Sequence, residues 1–120
     1  MMIKLSETAR DAMLDALASM MDGGRIELLT GDGRLLAVLD LSYPAADVID
    51  GELEFNQIEK EDVTRARGSA LEARVIAADG SEVFVCDVGD ENSDAVVKLN
   101  STNIDPGGTV ELRSFKLVMP

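Results

Sequence analysis

The sequence predicts a mainly β protein, an antiparallel β-sandwich or jelly-roll-like barrel with one N-terminal α-helix. Three observations predict it. Apolar residues recur at helical spacing only over residues 6–22. From Arg25 onward the spacing changes to two, in short runs. Those runs are separated by Gly-, Asp- and Pro-containing turns rather than by further helices, and parallel crossovers need long connections that are usually helical.

The chain has 120 residues, enough for a single domain over 1–120 with one modest core: a helix over about 6–22, then a β body over about 25–119. Apolar residues make up 46% and charged residues 28%, the balance of a folded chain. Aromatics are few: Tyr43, Phe55, Phe84 and Phe115, with no Trp. The core is therefore expected to be built mostly from Leu, Val, Ile, Met and Ala. An aliphatic core of this kind gains from further burial, so a homo-oligomer is expected.

In the helix, Ser6 or Thr8 can cap the first turn, with Glu7 or Asp11 near the positive end of the dipole. Ala9, Met13, Leu17 and Met20 form the expected apolar stripe, joined by Leu14, Ala16 and Met21. Gly23-Gly24 ends the helix, because glycine enters the left-handed cap conformation without a Cβ clash.

Arg25–Thr30 and Arg34–Ser42 read as a hairpin across Gly31-Asp32-Gly33, expected to pack on the helix. Tyr43–Gly51 reads as a loop and Gly51–Asn56 as a short strand. Gln57–Thr64 is charged and reads as a loop or one helical turn. Arg65–Ala78 and Glu82–Val88 form a hairpin across Ala78-Asp79-Gly80-Ser81. Gly89–Asp94 is a polar loop, Ala95–Leu99 a strand, and Asp105-Pro106-Gly107-Gly108 a turn. The last strand, Thr109–Met119, changes its inward face partway along, which a period of two forbids without a bulge near Arg113-Ser114.

Composition also limits the chemistry. The formal net charge is −12, with 23 acidic and 11 basic residues. That charge repels phosphate backbones and anionic lipid, so neither nucleic acid nor membrane is an expected partner. No apolar run approaches the ~20 residues of a membrane helix. With no His, the commonest general base and metal ligand is missing, and so is any Ser-His or Cys-His dyad. The one cysteine, Cys86, lies in an apolar run and reads as a packed thiol of a protein made in a reducing compartment. Asp47, Asp50 and Glu52, and then Asp87, Asp90, Glu91 and Asp94, bring carboxylates together in sequence. The second group has oxygen ligands on a Gly-containing loop but not the spacing of an EF-hand, and reads as a solvated turn. Gly31-Asp32-Gly33 and Gly107-Gly108 lack the pattern of a phosphate cradle. No catalytic residue, metal ligand or cofactor site is expected.

Three segments carry a resemblance. The first is Leu5-Ser6-Glu7-Thr8-Ala9-Arg10-Asp11-Ala12-Met13-Leu14-Asp15-Ala16-Leu17, followed by Asp22-Gly23-Gly24-Arg25-Ile26-Glu27-Leu28-Leu29-Thr30-Gly31. The second is the hairpin around Ala77-Ala78-Asp79-Gly80-Ser81. The third is Val97-Lys98-Leu99-Asn100-Ser101-Thr102-Asn103-Ile104, followed by Gly107-Gly108-Thr109-Val110 and a strand with Ser114-Phe115. In this order they resemble small β-rich virion structural proteins of tailed bacteriophages and prophages, most of all capsid cement (decoration) proteins. Such proteins often carry an aromatic in the strand before the Asp-Gly turn, where this chain has Glu72-Ala73-Arg74. The resemblance implies a virion protein made in the host bacterial cytoplasm and placed on the capsid surface. Its implied partners are the major capsid protein and copies of itself, as a homodimer or homotrimer, with Met1–Leu5 and the acidic loops as candidate contacts. A small tail or head–tail component shares the same physics. So does an acidic binding module or inhibitor that mimics nucleic acid, which the charge alone also fits.

Overall fold

The computed structural model describes residues 4–56, 60–63, 66–106 and 110–118, with the backbone alone at 60–63 and 118. The protein is mainly β with one N-terminal helix, and its main sheet curls as a half-barrel. Helix α1 spans Glu7–Met21. The strands are β1 (Arg25–Leu29), β2 (Leu35–Asp40), β3 (Ala46–Ile49), β4 (Glu52–Phe55), β5 (Lys60–Val63), β6 (Gly68–Ser69), β7 (Glu72–Ile76), β8 (Glu82–Asp90), β9 (Val97–Leu99), β10 (Asn103–Ile104) and β11 (Leu112–Val118). Nine of them form one sheet in the order β3-β4-β11-β9-β8-β7-β1-β2-β5, and β6 pairs with β10 in a separate short ladder.

The helix starts where the capping rule places it. The Ser6 hydroxyl accepts from the Ala9 backbone N–H at 3.1 Å, satisfying one orphan donor of the first turn. The chain leaves through Gly23 at φ +70°. Gly24 is fixed by crowding instead, since a Cβ there would run into the Ile76 carbonyl. The Asp22 carboxylate accepts from the Ala45 N–H at 2.8 Å, and the Arg10 guanidinium lies over Gly51. The two contacts lay α1 antiparallel along β3. The helix therefore packs on β3 and β4, and only lightly on β8. This corrects the expectation that the first hairpin would receive it.

The buried stripe also differs from the expected one. Leu14, Ala18 and Met21 enter the core with Leu17 beside them, whereas Ala9, Met13, Ala16 and Met20 face outward. Both stripes have helical spacing; the docking of α1 on β3 and β4 selects one of them.

The hairpins β1–β2 and β7–β8 close with the same device. Residues 31–33 and 78–80 are three-residue loops that end on a glycine with positive φ, Gly33 at +88° and Gly80 at +91°. The closing bonds run from Thr30 N to the Arg34 carbonyl and from Ala77 N to the Ser81 carbonyl. This is the turn-plus-bulge geometry for which glycine is the low-cost residue. Asp79 holds its turn by accepting from the Ser81 N–H and hydroxyl.

Three expected segments are divided differently. The Tyr43–Gly51 loop contains β3, which pairs with β4 across Asp50-Gly51, both at positive φ as a two-residue hairpin turn requires. Within Gln57–Thr64, residues 60–63 are extended and pair with β2, while 57–59, 64–65 and 107–109 lie outside the described residues. The long strand over 65–78 is two strands. It breaks at Ala70-Leu71, whose N–H groups donate to the Thr102 and Leu29 carbonyls, so the chain changes partners there.

The last strand carries the expected bulge: its pairing with β9 shifts register between Leu112 and Ser114. The first part of β11 bonds β9 and its end bonds β4. Thus β11 joins the two halves of the sheet.

One ladder is parallel, against the antiparallel expectation. β8 and β9 pair Val88 with Val97, Gly89 with Lys98 and Asp90 with Leu99. A full parallel crossover needs a dozen or more residues. Here only three rows pair, so residues 91–96 need to step back only about two rows at roughly 3.3 Å each. Phe55, Phe84 and Phe115 meet at this junction. Phe55 stacks on Phe115 with centroids 3.6 Å apart, and Phe84 meets Phe115 edge-on at 6.1 Å. Three of the four aromatics thus pin the place where the sheet changes from one local order to another.

Candidate functional site

The acidic loop after β8 is occupied by its own backbone. The Asp87 carboxylate accepts from Val96 N at 2.9 Å, and the Asp90 carboxylate accepts from Asn92 N at 2.9 Å. The Ser93 hydroxyl donates to the Asp90 carbonyl at 2.7 Å. Gly89 is required because a Cβ there would strike the Ser93 side chain. These carboxylates shape the step back into β9. Among the described residues, no group of three or more His, Cys, Asp or Glu side chains converges to hold a metal ion.

The other sequence candidates sit on ordinary surface and turn positions. Asp47 is exposed on β3, Asp50 sits in the β3–β4 turn, and Glu52 begins β4. Gly31-Asp32-Gly33 is the hairpin turn described above. Cys86 is half-buried and packs against the core, on the same row as Ala73. Burial, and then the nearby negative charges of Asp87 and Glu72, push its thiol up to about 12. A thiol with so little thiolate is a poor nucleophile. Of the N-terminal contact segment, Lys4 is exposed and Leu5 half-buried, and Met1–Ile3 lie outside the described residues.

The structure assembles one charged cluster that spacing did not reveal. Glu27, on the central strand β1, is only 9% exposed. It lies directly across from Arg74 on β7. Arg74 donates to Glu27 Oε1 from Nε at 3.0 Å and from Nη2 at 2.6 Å. Arg25, two residues away on the same strand face, donates to Oε2 at 3.0 Å. Burial alone would raise the Glu27 carboxyl, but hydrogen bonds from Arg74 and Arg25 and their charges bring it below its ordinary value. Both carboxylate oxygens are engaged, so the group acts as a latch between β1 and β7. The available signal was Glu27 inside Ile26-Glu27-Leu28-Leu29, two residues from Arg25: a carboxylate in an apolar run needs a partner if both strand faces are covered.

The remaining feature is a surface. Met13 is 47% exposed and Met20 54% exposed on α1, and Tyr43, just beyond the helix in the β2–β3 connection, is 79% exposed. Among the described residues, no helix is long and apolar enough to cross a membrane. No protein-family model, no curated protein and no solved structure matches this chain.

Proposed function

We propose that the protein is a virion structural component of a tailed bacteriophage, acting as a capsid cement protein that binds across seams between subunits of the assembled head. The observation that carries this reading is the exposure of large apolar side chains, at Met13 and Met20 on α1, at Tyr43, and at Leu35, Ile49, Leu71 and Val85 on or next to the sheet, on a chain whose net charge is −12. The order of the N-terminal helix, the Asp-Gly hairpin and the final strand, which resembles such proteins, supports it further. Apolar area removed from water supplies roughly 25 cal/mol per Å², so a seam need bury only a modest patch per copy when many copies bind. The partners are the major capsid protein and other copies of this chain. Because only the assembled shell offers the complete site, binding stabilises that shell by mass action. The acidic surface points away from packaged DNA.

The test compares particles prepared with and without the protein. Binding to purified capsids, and loss of the shells at lower temperature when the protein is absent, is the expected result. No binding to capsids together with unchanged particle stability would overturn the reading. Salt-sensitive binding to a basic DNA-binding protein, without capsid binding, would replace it with the nucleic-acid mimic.

A further inference from the structure

We propose that the main sheet holds an open lane one strand wide, between β8 and β11 beyond the start of β9, and that this lane binds an extended segment of a partner protein, apolar on its inward side and basic on its outward side. The inference does not rest on the virion reading, because main-chain geometry and inward-facing residues carry it.

The lane follows from the lengths of three strands. β9 lies between β8 and β11 but spans only Val97–Leu99. It pairs with Val88–Asp90 of β8 and with Leu112–Phe115 of β11. Residues 82–87 of β8 pair with β7 on one side and, among the described residues, with no strand on the other. The end of β11 likewise pairs with β4 on one side only. At Val97 the two borders stand two strand spacings apart, roughly 10 Å. Past it they do not pair with each other. On the core side Phe84 meets Phe115 edge-on at 6.1 Å, which ties the borders together beneath the lane.

Both borders offer main chain to a strand. Val88 N donates to the Leu71 carbonyl at 3.3 Å, on the β7 side. Main-chain groups alternate in direction along a strand, so Val85 turns its N–H and C=O the other way, into the lane. On the far border, Asn56 N donates to the Ala45 carbonyl on the β3 side, so Leu53 turns toward β11. Leu117, opposite Leu53, therefore bonds β4, and Lys116 turns its main chain into the lane.

Burial records where β9 stops. Phe84 and Cys86 sit opposite the fully buried Val75 and Ala73, so they and Val88 face the core side. Val88, which β9 covers, is 8% exposed. Phe84 and Cys86, beyond the reach of β9, are only half-buried. β11 repeats the pattern: Phe115, opposite Val97, is buried, and Leu117, past it, is half-buried. A strand in the lane covers Phe84, Cys86 and Leu117 as β9 covers Val88 and Phe115.

Width and charge select the occupant. A second copy would bring its own β7 beside its β8, and the lane has room for one strand. The outward side of the lane is bordered by the exposed Glu82 and Asp87. A copy would add like charge there, at −12 on each molecule. Lys or Arg at the outward positions of an incoming segment complements these acids, and apolar residues at the alternate positions meet the floor. Lys116 does not oppose such a segment, because Glu54 already balances it at 3.2 Å. The open length beside residues 82–86 is about 16 Å, or about five residues. So short a ladder gives a dissociation constant of about 10 μM to 1 mM.

The probe is the capped peptide acetyl-Lys-Val-Lys-Val-Lys-Val-Lys-amide, titrated into the full chain up to about 2 mM, which brackets that range. Amide shifts in NMR spectra are expected at residues 82–87 and 115–118, with slower hydrogen exchange at Val85 and Lys116. Alkylation of Cys86, the one thiol of the chain, should slow at least fivefold at saturation. The same peptide N-methylated at its three valines keeps the charges and side chains but loses ladder donors, and should bind at least tenfold more weakly. The peptide with Glu for Lys should not bind. Glu82→Lys should weaken the lysine peptide at least threefold. That side chain is exposed, so the free variant should keep the parent's spectrum away from β8. Unchanged amides at 82–87 together with unchanged alkylation of Cys86 overturns the proposal. Equal binding by the N-methylated peptide overturns it too, because charge attraction alone then accounts for the contact. So do shifts confined to α1.

Discussion

Strand β1 and helix α1 invert the usual relation between hydropathy and burial. Glu27 on β1 is charged and buried, whereas Met13 and Met20 on α1 are apolar and half-exposed. The strand lies between β7 and β2 in a nine-stranded sheet, so its main chain is bonded on both sides and both of its faces are covered along most of its length. The helix meets the sheet along one line only. What decides burial is the number of neighbours that an element's place in the topology provides. Side-chain chemistry then adjusts to it. On β1 the adjustment is two arginines. On α1 it is an apolar stripe left half-exposed.

That contrast can be broken most directly on the helix itself. Leu14→Ala should cost about 2–5 kcal/mol of unfolding free energy, since Leu14 is fully buried and its removal leaves a cavity. Chemical denaturation measures it. A loss below about 1 kcal/mol would show that α1 is not part of the core.

On the strand, Glu27→Gln should cost about 1.5–3 kcal/mol at neutral pH, the range for hydrogen bonds to charged groups. The effect depends on pH with a definite sign. The folded-state pKa of Glu27 lies below its ordinary value, so its contribution is fully present above about pH 5 and is lost as pH falls through that lowered value. The stability gap between parent and variant should therefore narrow when denaturation is repeated near pH 3. A gap that stays constant with pH would mean that the carboxylate's charge contributes nothing to the latch.

A smaller effect is expected at the start of the helix. Ser6→Ala removes the acceptor for the Ala9 N–H and should cost about 1 kcal/mol. The smallest belongs to the open stripe. Met20→Ser should change monomer stability by no more than about 0.5 kcal/mol, measured in dilute solution, because the side chain is already half in water and lies outside the buried core. A larger loss would mean that Met20 packs within its own chain.

Legibility followed the range of the interactions. The Ser6 cap, the Asp79-Gly80 turn and the bulge near Arg113 each depend on neighbours within a few residues, and the sequence carries them. The Asp50-Gly51 turn was equally local, and its hairpin is obscured only by Pro44 and the polar residues before it. The Glu27–Arg74 latch was half legible: a charge in an apolar strand asks for a partner but does not say which. The parallel β8–β9 ladder was not legible. It depends on a six-residue step back that Gly89, Ser93 and Asp87 hold in place, and no periodic pattern marks it.

The sequence by itself determined the position of the helix and its cap, the hairpin turns ending on Gly33 and Gly80, the bulge near Arg113, and the strongly acidic charge. These follow from spacing, dihedral preference and charge, which are properties of adjacent residues. Only the tertiary structure decided which stripe of α1 enters the core. Two apolar stripes share the helical period, and periodicity cannot rank them. Docking along β3, held by Asp22 at Ala45 and by Arg10 over Gly51, buries Leu14, Ala18 and Met21 and leaves Met13 and Met20 half-exposed.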